Sequence, residues 1–133
     1  QLALPALKSG KYVLSARNYY STLAFQGYAE GLSLKQIQQL TEEYTDEKYL
    51  PPDFVCILTM KNELERKKRI AARGELINPD TFESRSSEFQ EKVADGYLQI
   101  ARNYNLPVID ASQSIEVVQD EITQLLRQQS LVK

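Results

Sequence analysis

The first residue that could do chemistry is Arg17, which closely follows the apolar run Tyr12–Leu14. A guanidinium just past the end of a strand can hold a phosphate through two parallel hydrogen bonds, and it stays charged at any relevant pH. A solvated arginine or a structural ion pair is the common alternative, and position alone favours that alternative. The sequence therefore indicates a candidate anion-binding residue at this point.

Aromatic and polar side chains follow Arg17 directly, as Tyr19, Tyr20, Thr22, Phe25, Gln26 and Tyr28. Rings beside an anion-binding residue can stack on a nucleobase. Thr22 and Gln26 are four residues apart, so a helix places them on one face with Phe25 beside them, where a hydroxyl and an amide can hydrogen-bond a base edge. Rings at helical spacing more often belong to the core. The segment is therefore either a base-binding site or a core helix.

A third candidate is the basic segment from Glu65 to Arg85, which Gly74 and Pro79 interrupt. These two residues break helices and permit a mobile segment. Arginines on such a segment can neutralise the charge that develops during phosphoryl transfer. A surface helix whose cations pair with neighbouring glutamates is the alternative, and the segment alone favours it.

Composition limits the class of partner. The 133 residues are 42% hydrophobic and 26% charged, as in one globular domain, and the net charge of -2 argues against nucleic acid or an anionic membrane as the main partner. No histidine is present, which disfavours zinc sites and Ser/His/Asp triads, and the single cysteine, Cys56, excludes a disulfide framework. No apolar run approaches the ~20 residues that span a bilayer, and the first residues lack a signal-peptide layout. We therefore expect a cytoplasmic protein.

Three apolar runs predict strands: Lys11–Ser15, Asp53–Met60 and Pro107–Ala111. They do not alternate with polar residues, which is typical of strands buried on both faces. Helical patterns separate them and begin behind polar caps at Ser33, Asn62 and Ser114, and Gly10 is expected to end a first helix. A further helix with one apolar side is predicted by the helical spacing of Phe89, Val93, Tyr97, Ile100 and Tyr104. Strands that alternate with helices predict an α/β fold with a parallel sheet.

The ends of these strands predict where a ligand binds. In an open parallel sheet, ligands lie outside the carboxyl ends of the strands. The segments Ser15–Asn18, Thr59–Lys61 and Asp110–Gln113 are therefore expected to face one crevice.

A set of motifs together resembles the bacterial thymidylate kinases. They occur in the family's order and with similar spacing, from Pro5 to about Leu126. The motifs are Gly10–Ser15, Arg17, Tyr20–Gly27, Leu50–Asp53, Glu65–Arg66, Arg73–Leu76, Phe82–Glu83, Gly96–Tyr97 and Val108–Ile115. The resemblance covers roughly the C-terminal two thirds of a family member.

The resemblance implies a P-loop-kinase-like three-layer α/β/α fold with a parallel sheet, incomplete here as three strands plus helices. Residues 1–133 would form a single thymidylate-kinase-like domain that lacks the family's N-terminal phosphate-loop part. The implied activity is ATP-dependent phosphorylation of dTMP to dTDP with Mg2+, in dTTP synthesis. Family members are commonly homodimers, which the apolar helix faces here permit.

The resemblance also assigns roles to individual residues. Arg17 would hold the acceptor phosphate, Phe25 would stack on thymine, and Thr22 and Gln26 would lie at the base edge. The lid segment, about residues 67–85, would supply a catalytic arginine, with Arg73 as first choice and Arg69 as second. The turn formed by Ala111, Ser112 and Gln113 would lie along the adenine. No residue is assigned to a metal.

Departures from the family pattern bear on activity. Ala16 and Thr59 stand where the family has aspartates, and Asp80-Thr81 replaces the usual Asp-Arg pair. None of the glycines opens a G-x-x-x-x-G-K-[ST] phosphate loop. We therefore expect these residues alone to lack measurable kinase activity, and another segment or chain to fill the central strand position of the family's sheet. A non-catalytic nucleotide-binding relative, or a kinase for another pyrimidine monophosphate, remains open.

Overall fold

The computed structural model describes residues 3–45, 51–60, 62–73 and 85–132, without the side chains of Glu63, Ile70 and Arg73. The helices are α1 (Ala3–Lys8), α2 (Tyr19–Thr22), which continues as a π-helix (Leu23–Ala29), α3 (Leu34–Tyr44), α4 (Glu63–Arg73), α5 (Ser87–Asn103) and α6 (Ile115–Gln128). The strands are β1 (Ile57–Thr59) and β2 (Val108–Asp110). The predicted α/β class is confirmed.

Local polar side chains set the predicted helix starts. The Ser33 hydroxyl accepts from the amide of Gln36 at 3.3 Å, and the Asn62 side chain accepts from the amide of Glu65 at 3.1 Å. Ser114 caps α6 in the same way. Each side chain satisfies an amide that the first helical turn leaves without a partner. At the other end of a helix, Gly10 follows α1 with a φ of 73°, which agrees with the predicted stop.

The two strands form a parallel sheet. Ile57 pairs with Val108 and Thr59 pairs with Asp110, while α5 lies between the strands in sequence. The amide of Ala111 donates to the carbonyl of Thr59 at 2.7 Å, so the pairing continues one residue past β2. The carboxyl ends of the two strands therefore lie side by side, as the sequence predicts.

The prediction of a first strand at Lys11–Ser15 is wrong. Lys11–Ser15 pairs with neither strand in the part of the chain that the structure describes, and Tyr12 and Leu14 are 72% and 91% exposed. An apolar run becomes a strand only where a neighbouring strand takes its backbone hydrogen bonds. No described strand does so here.

The predicted burial of both sheet faces is also wrong for the described strands. Ile57 and Ile109 are buried, whereas their partners in the neighbouring strand, Val108 and Leu58, are 43% and 52% exposed. Paired residues of neighbouring strands point to the same face, so each face of this sheet carries a buried isoleucine beside an exposed apolar residue and neither face is fully covered. Apolar composition shows which residues could be buried, but a covering element decides which ones are.

The main core lies between the π-helix, α3 and α5. Its buried members are Tyr20, Leu23, Ala24, Ile37, Val93 and Ile100. Gly96 allows the close approach of α5, because a Cβ atom there would lie 2.8 Å from the Cβ of Tyr28. The helix that carries the candidate base-binding residues is thus fixed against α5. Among the described residues, no helix combines the length and the apolar character needed to cross a membrane.

Candidate functional site

Arg17 and Phe25 are neighbours in the structure. The Arg17 guanidinium carbon lies 4.6 Å from the centroid of the Phe25 ring, within the range of a cation–π contact. Asn18 caps α2 by accepting from the amide of Tyr20 at 3.0 Å, and the Ser15 hydroxyl donates to the carbonyl of Arg17. The helix cap on one side and the turn on the other therefore fix the backbone of Arg17.

Phe25 and Gln26 lie on the π-helical segment. The amide of Glu30 donates to the carbonyl of Phe25 at 3.0 Å, and the amide of Leu32 donates to that of Gln26 at 2.9 Å. Single π-turns within helices occur frequently at functional sites. The irregular turn thus includes Phe25 and Gln26, two of the three residues that the sequence assigns to the base. Thr22, the last residue of α2, is exposed, whereas Gln26 is half-buried, and their contact with a base edge stays a prediction.

Two rings of α5 form the wall behind Phe25. The centroid of Phe25 lies 6.2 Å from that of Phe89 and 6.3 Å from that of Tyr97. The Tyr97 hydroxyl donates to that of Ser21 at 2.8 Å, which joins α5 to α2. The sequence reasoning did not place Phe89 or Tyr97 at the site. Their spacing predicted a core-facing helix side, and that same side turns out to support Phe25.

Arg85 brings the far end of the predicted lid to this cluster. Its guanidinium carbon lies 4.5 Å from the centroid of Phe89, and its Nη1 lies 2.8 Å from a carboxylate oxygen of Glu30. Residues 74–84 of the predicted lid lie outside the described part of the chain. The structure therefore connects the end of the predicted lid to the wall of the Arg17 site.

The candidate adenine turn follows β2. The Asp110 carboxylate accepts from the amide of Ser112 at 2.9 Å, which folds the chain back on itself. The side-chain nitrogen of Gln113 donates to the carboxylate of Glu121 at 3.1 Å and to the carbonyl of Asp110 at 3.3 Å. Asp110 was expected to face the ligand crevice as the first residue of the segment Asp110–Gln113, whereas Glu121 was not predicted as a site residue.

Arg69 contacts this turn rather than standing free on α4. Its Nη1 donates to the carbonyl of Ala111 at 2.7 Å, and its Nη2 donates to those of Ser112 at 3.1 Å and Gln113 at 2.8 Å. Its Nε donates to the carboxylate of Glu65 at 2.9 Å. The structure thus brings the second-choice catalytic arginine to the adenine turn.

Arg73, the first choice for the catalytic arginine, is the last residue of α4. Its side chain lies outside the described part of the structure. Its catalytic role therefore stays a prediction.

A pocket of about 310 Å³ lies beside the turn. Arg69, Ala111 and Gln113 line it on one side, and α6 contributes Ile115, Val118, Gln119, Ile122 and Thr123 on the other. Apolar walls with a few polar groups at one edge are typical of sites for small molecules. The pocket can therefore receive a small, mostly apolar group with polar atoms towards the turn.

A magnesium site does not emerge from the described residues, among which no three acidic, cysteine or histidine side chains form a cluster that could hold a metal ion. Thr59, at the end of β1 where the resemblance implies an aspartate, donates its hydroxyl to the carbonyl of Ile109 at 3.4 Å. The donor set described here does not fit the ion, so we assign no residue to Mg2+.

Two groups near the described sheet and site have raised pKa values. Burial raises the pKa of the Tyr19 phenol, and a hydrogen bond with Tyr20 adds to this effect. Burial also raises the pKa of the Cys56 thiol. Both groups are therefore neutral at physiological pH, and neither is activated as a nucleophile.

The family model for thymidylate kinase matches residues 1–122 of this chain. The chain belongs to the thymidylate kinase family. All residues that the sequence assigns to the phosphate, the base, the lid arginines and the adenine turn lie inside the matched region.

Relatives named thymidylate kinase are similar over most of this chain. The one from Exiguobacterium sibiricum is 33% identical over 124 residues, which cover 92% of this chain and 56% of the relative. A Synechococcus thymidylate kinase is 36% identical over 124 residues, or 93% of this chain and 56% of the relative. A thymidylate kinase from Finegoldia magna is 29% identical over 130 residues, which cover 97% of this chain and 61% of the relative. The chain thus spans little more than half the length of the thymidylate kinases it matches.

Proposed function

We propose that the protein is a nucleoside-monophosphate kinase that transfers the terminal phosphoryl group of ATP to dTMP. The observation that carries this proposal is the contact between Arg17 and Phe25, inside a region that matches the thymidylate kinase family. An anion-binding group and an aromatic surface lie together there, as a nucleoside monophosphate requires. The parallel sheet and its helices support a P-loop-kinase fold of three α/β/α layers in one domain.

On the acceptor side, Arg17 binds the phosphate and Phe25 stacks on thymine. The guanidinium lies over the ring in the structure, so it must leave that ring face when the base uses it. Arg17 is exposed and can swing towards the phosphate, because a cation–π contact at an exposed site contributes only about 0.5–1 kcal/mol. Thr22 and Gln26 contact the base edge.

On the donor side, the adenine of ATP lies along Ala111–Gln113, in the pocket between α4 and α6. The apolar residues of α6 suit the face of the base. Arg73 is the catalytic arginine, which stabilises the charge on the transferred group. Mg2+ and ATP enter the proposal from the family, and the proposed assembly is a homodimer.

A non-catalytic nucleotide-binding relative is the second candidate, and one observation favours it. The Thr59 hydroxyl is directed at the Ile109 carbonyl, so this position links the strands instead of presenting a carboxylate. Ala16 likewise supplies no acid beside Arg17. Such a protein keeps the monophosphate site but does not transfer a phosphoryl group.

The decisive experiment measures binding and turnover separately in the full-length protein. Calorimetric titration with dTMP, dUMP and CMP is expected to show the tightest binding for dTMP, and ATP-dependent formation of dTDP is expected in a product assay. Tight dTMP binding without any dTDP supports the non-catalytic candidate. Preferred binding of CMP or dUMP assigns the site to another pyrimidine monophosphate, and failure to bind any of the three removes the proposal.

A further inference from the structure

We infer that Arg69 is a positioning residue that holds the turn Ala111–Gln113 in the shape that receives adenine, and this inference rests on the proposed donor site. The guanidinium lies between α4 and the turn and binds both. Arg69 would then act on ATP through the turn and make no contact with the transferred phosphoryl group.

The hydrogen bonds of the guanidinium carry the inference. Three carbonyls from consecutive residues, Ala111, Ser112 and Gln113, accept from the two terminal nitrogens of Arg69 at 2.7 to 3.1 Å. Carbonyl dipoles that converge on one point repel each other unless a donor or a cation lies between them. The planar fork of an arginine can bind all three at once, whereas the compact ammonium of a lysine cannot reproduce that geometry.

Glu65 orients the guanidinium from within α4. Its carboxylate accepts from Nε of Arg69 at 2.9 Å, which leaves both terminal nitrogens directed towards the turn. The two residues are one helical turn apart, and Asn62 fixes the start of that helix by capping the amide of Glu65. The direction of Arg69 is therefore set before any ligand binds.

The same contacts argue against direct phosphate binding by Arg69. An arginine has five N–H donors, and four hydrogen bonds of Arg69 go to Glu65 and the turn. A two-point grip on a phosphate would require it to release the turn. Since α4 begins the predicted lid, Arg69 also fixes the root of the lid to the proposed adenine site.

The test compares Arg69→Gln and Arg69→Lys in the full-length protein, with Lys68→Gln as the matched control. Lys68 is exposed on the same helix, so this control removes the same charge without touching the turn. Two quantities are measured: hydrogen exchange at the amide of Ser112, and the dissociation constants for ATP and dTMP by calorimetry.

Both Arg69 variants are expected to exchange faster at the Ser112 amide and to bind ATP roughly tenfold more weakly or worse, because a loosened turn misplaces the base. Affinity for dTMP should stay at the wild-type value, as should both affinities of Lys68→Gln. Full rescue by lysine would overturn the inference, since only the ion pair with Glu65 would then matter.

Unchanged exchange at Ser112, or unchanged ATP affinity, would equally overturn the inference. A wrong functional proposal would give a different result, because the unmodified protein would then fail to bind dTMP. Absence of ATP binding by the unmodified protein would remove the donor-site proposal and this inference together, whatever the result for dTMP.

Discussion

The guanidinium carbon of Arg17 lies 4.6 Å from the centroid of the Phe25 ring, so the phosphate-binding candidate and the base-stacking candidate are in direct contact. They belong to different local structures, since Arg17 precedes the helix cap and Phe25 lies on the π-helix. In the proposed complex, the Arg17 guanidinium leaves the ring face to bind the phosphate, and the base stacks on Phe25 in its place. Each side chain should therefore contribute to a different part of the ligand.

Replacement of Arg17 by alanine should weaken dTMP binding without weakening thymidine binding. A charge-assisted contact with the phosphate contributes about 1.5–3 kcal/mol, which corresponds to a roughly 10- to 150-fold loss of affinity. Thymidine has no phosphate, and the variant leaves the Phe25 ring uncovered. Calorimetric titration with both ligands checks this, with Arg102→Ala as a charge-matched control on the exposed end of α5. Equal losses for dTMP and thymidine would contradict the assigned role of Arg17.

Phe25→Leu should weaken binding of dTMP and thymidine alike, because both ligands carry the base. Loss of base–aromatic stacking costs about 1–3 kcal/mol per base. Phe89→Leu is the matched control, since it disturbs the same ring cluster 6.2 Å away while it leaves the Phe25 ring in place. If Phe89→Leu weakens thymidine binding as much as Phe25→Leu does, the effect comes from packing, and Phe25 does not stack on the base.

Gly96→Ala should destabilise the protein, because the added methyl group would lie 2.8 Å from the Cβ of Tyr28 and 3.3 Å from the carbonyl oxygen of Ala24. Neither atom is the end of a flexible side chain, so α5 must shift, at a cost of about 1–3 kcal/mol. This cost should exceed the gain of up to about 1 kcal/mol that alanine brings to a helix. A lower denaturant midpoint checks the prediction.

Gly27→Ala provides the comparison for that measurement. Its added methyl group would meet the Cδ2 atom of Leu34 at 2.3 Å, and that atom is the end of a side chain that can rotate. We expect a smaller loss of stability than for Gly96→Ala. The reverse order of the two midpoints would show that the approach of α5 to Tyr28 is not the tighter contact.

Cys56 should react slowly with a thiol reagent at pH 8 in the folded protein and rapidly after denaturation. Burial raises the pKa of its thiol above the ordinary value of 9.0, so less of the reactive thiolate is present in the fold. Because burial raises the pKa of the thiol only in the folded protein, the thiol of the unfolded chain loses its proton at a lower pH. The contribution of Cys56 to stability is thus complete below pH 9.0 and falls above it.

The reagent and the pH profile test this prediction independently of nucleotide binding. Cys56→Ala should remove the thiol's share of the stability loss at alkaline pH. Equal labelling rates in the folded and denatured protein would show that the thiol is not protected by burial.

Local signals explain why the helices were predictable. The cap at Asn62 and the stop at Gly10 depend on a few consecutive residues, and the structure confirms both. Periodic apolar residues likewise predicted the buried side of α5, where Val93 and Ile100 are nearly inaccessible. Such features need only backbone geometry and side chains within one or two helical turns.

Contacts between distant segments explain where prediction failed. The run Lys11–Ser15 has the composition of a buried strand, but the structure provides no described strand that pairs with it, and Leu14 is 91% exposed. The π-helical turn at Phe25 has no sequence signal that we recognise. The position of Phe89 behind that ring also depends on how α5 packs against the neighbouring helix.

The sequence by itself determined the family, several helix starts and the residue types at the candidate site, because these depend on order and spacing along the chain. Only the tertiary structure decided what each arginine contacts. Arg17 meets a ring eight residues away, whereas Arg69 meets carbonyls 42 to 44 residues away. A guanidinium has the same charge and donors everywhere, so its role depends on the acceptors that folding brings to it.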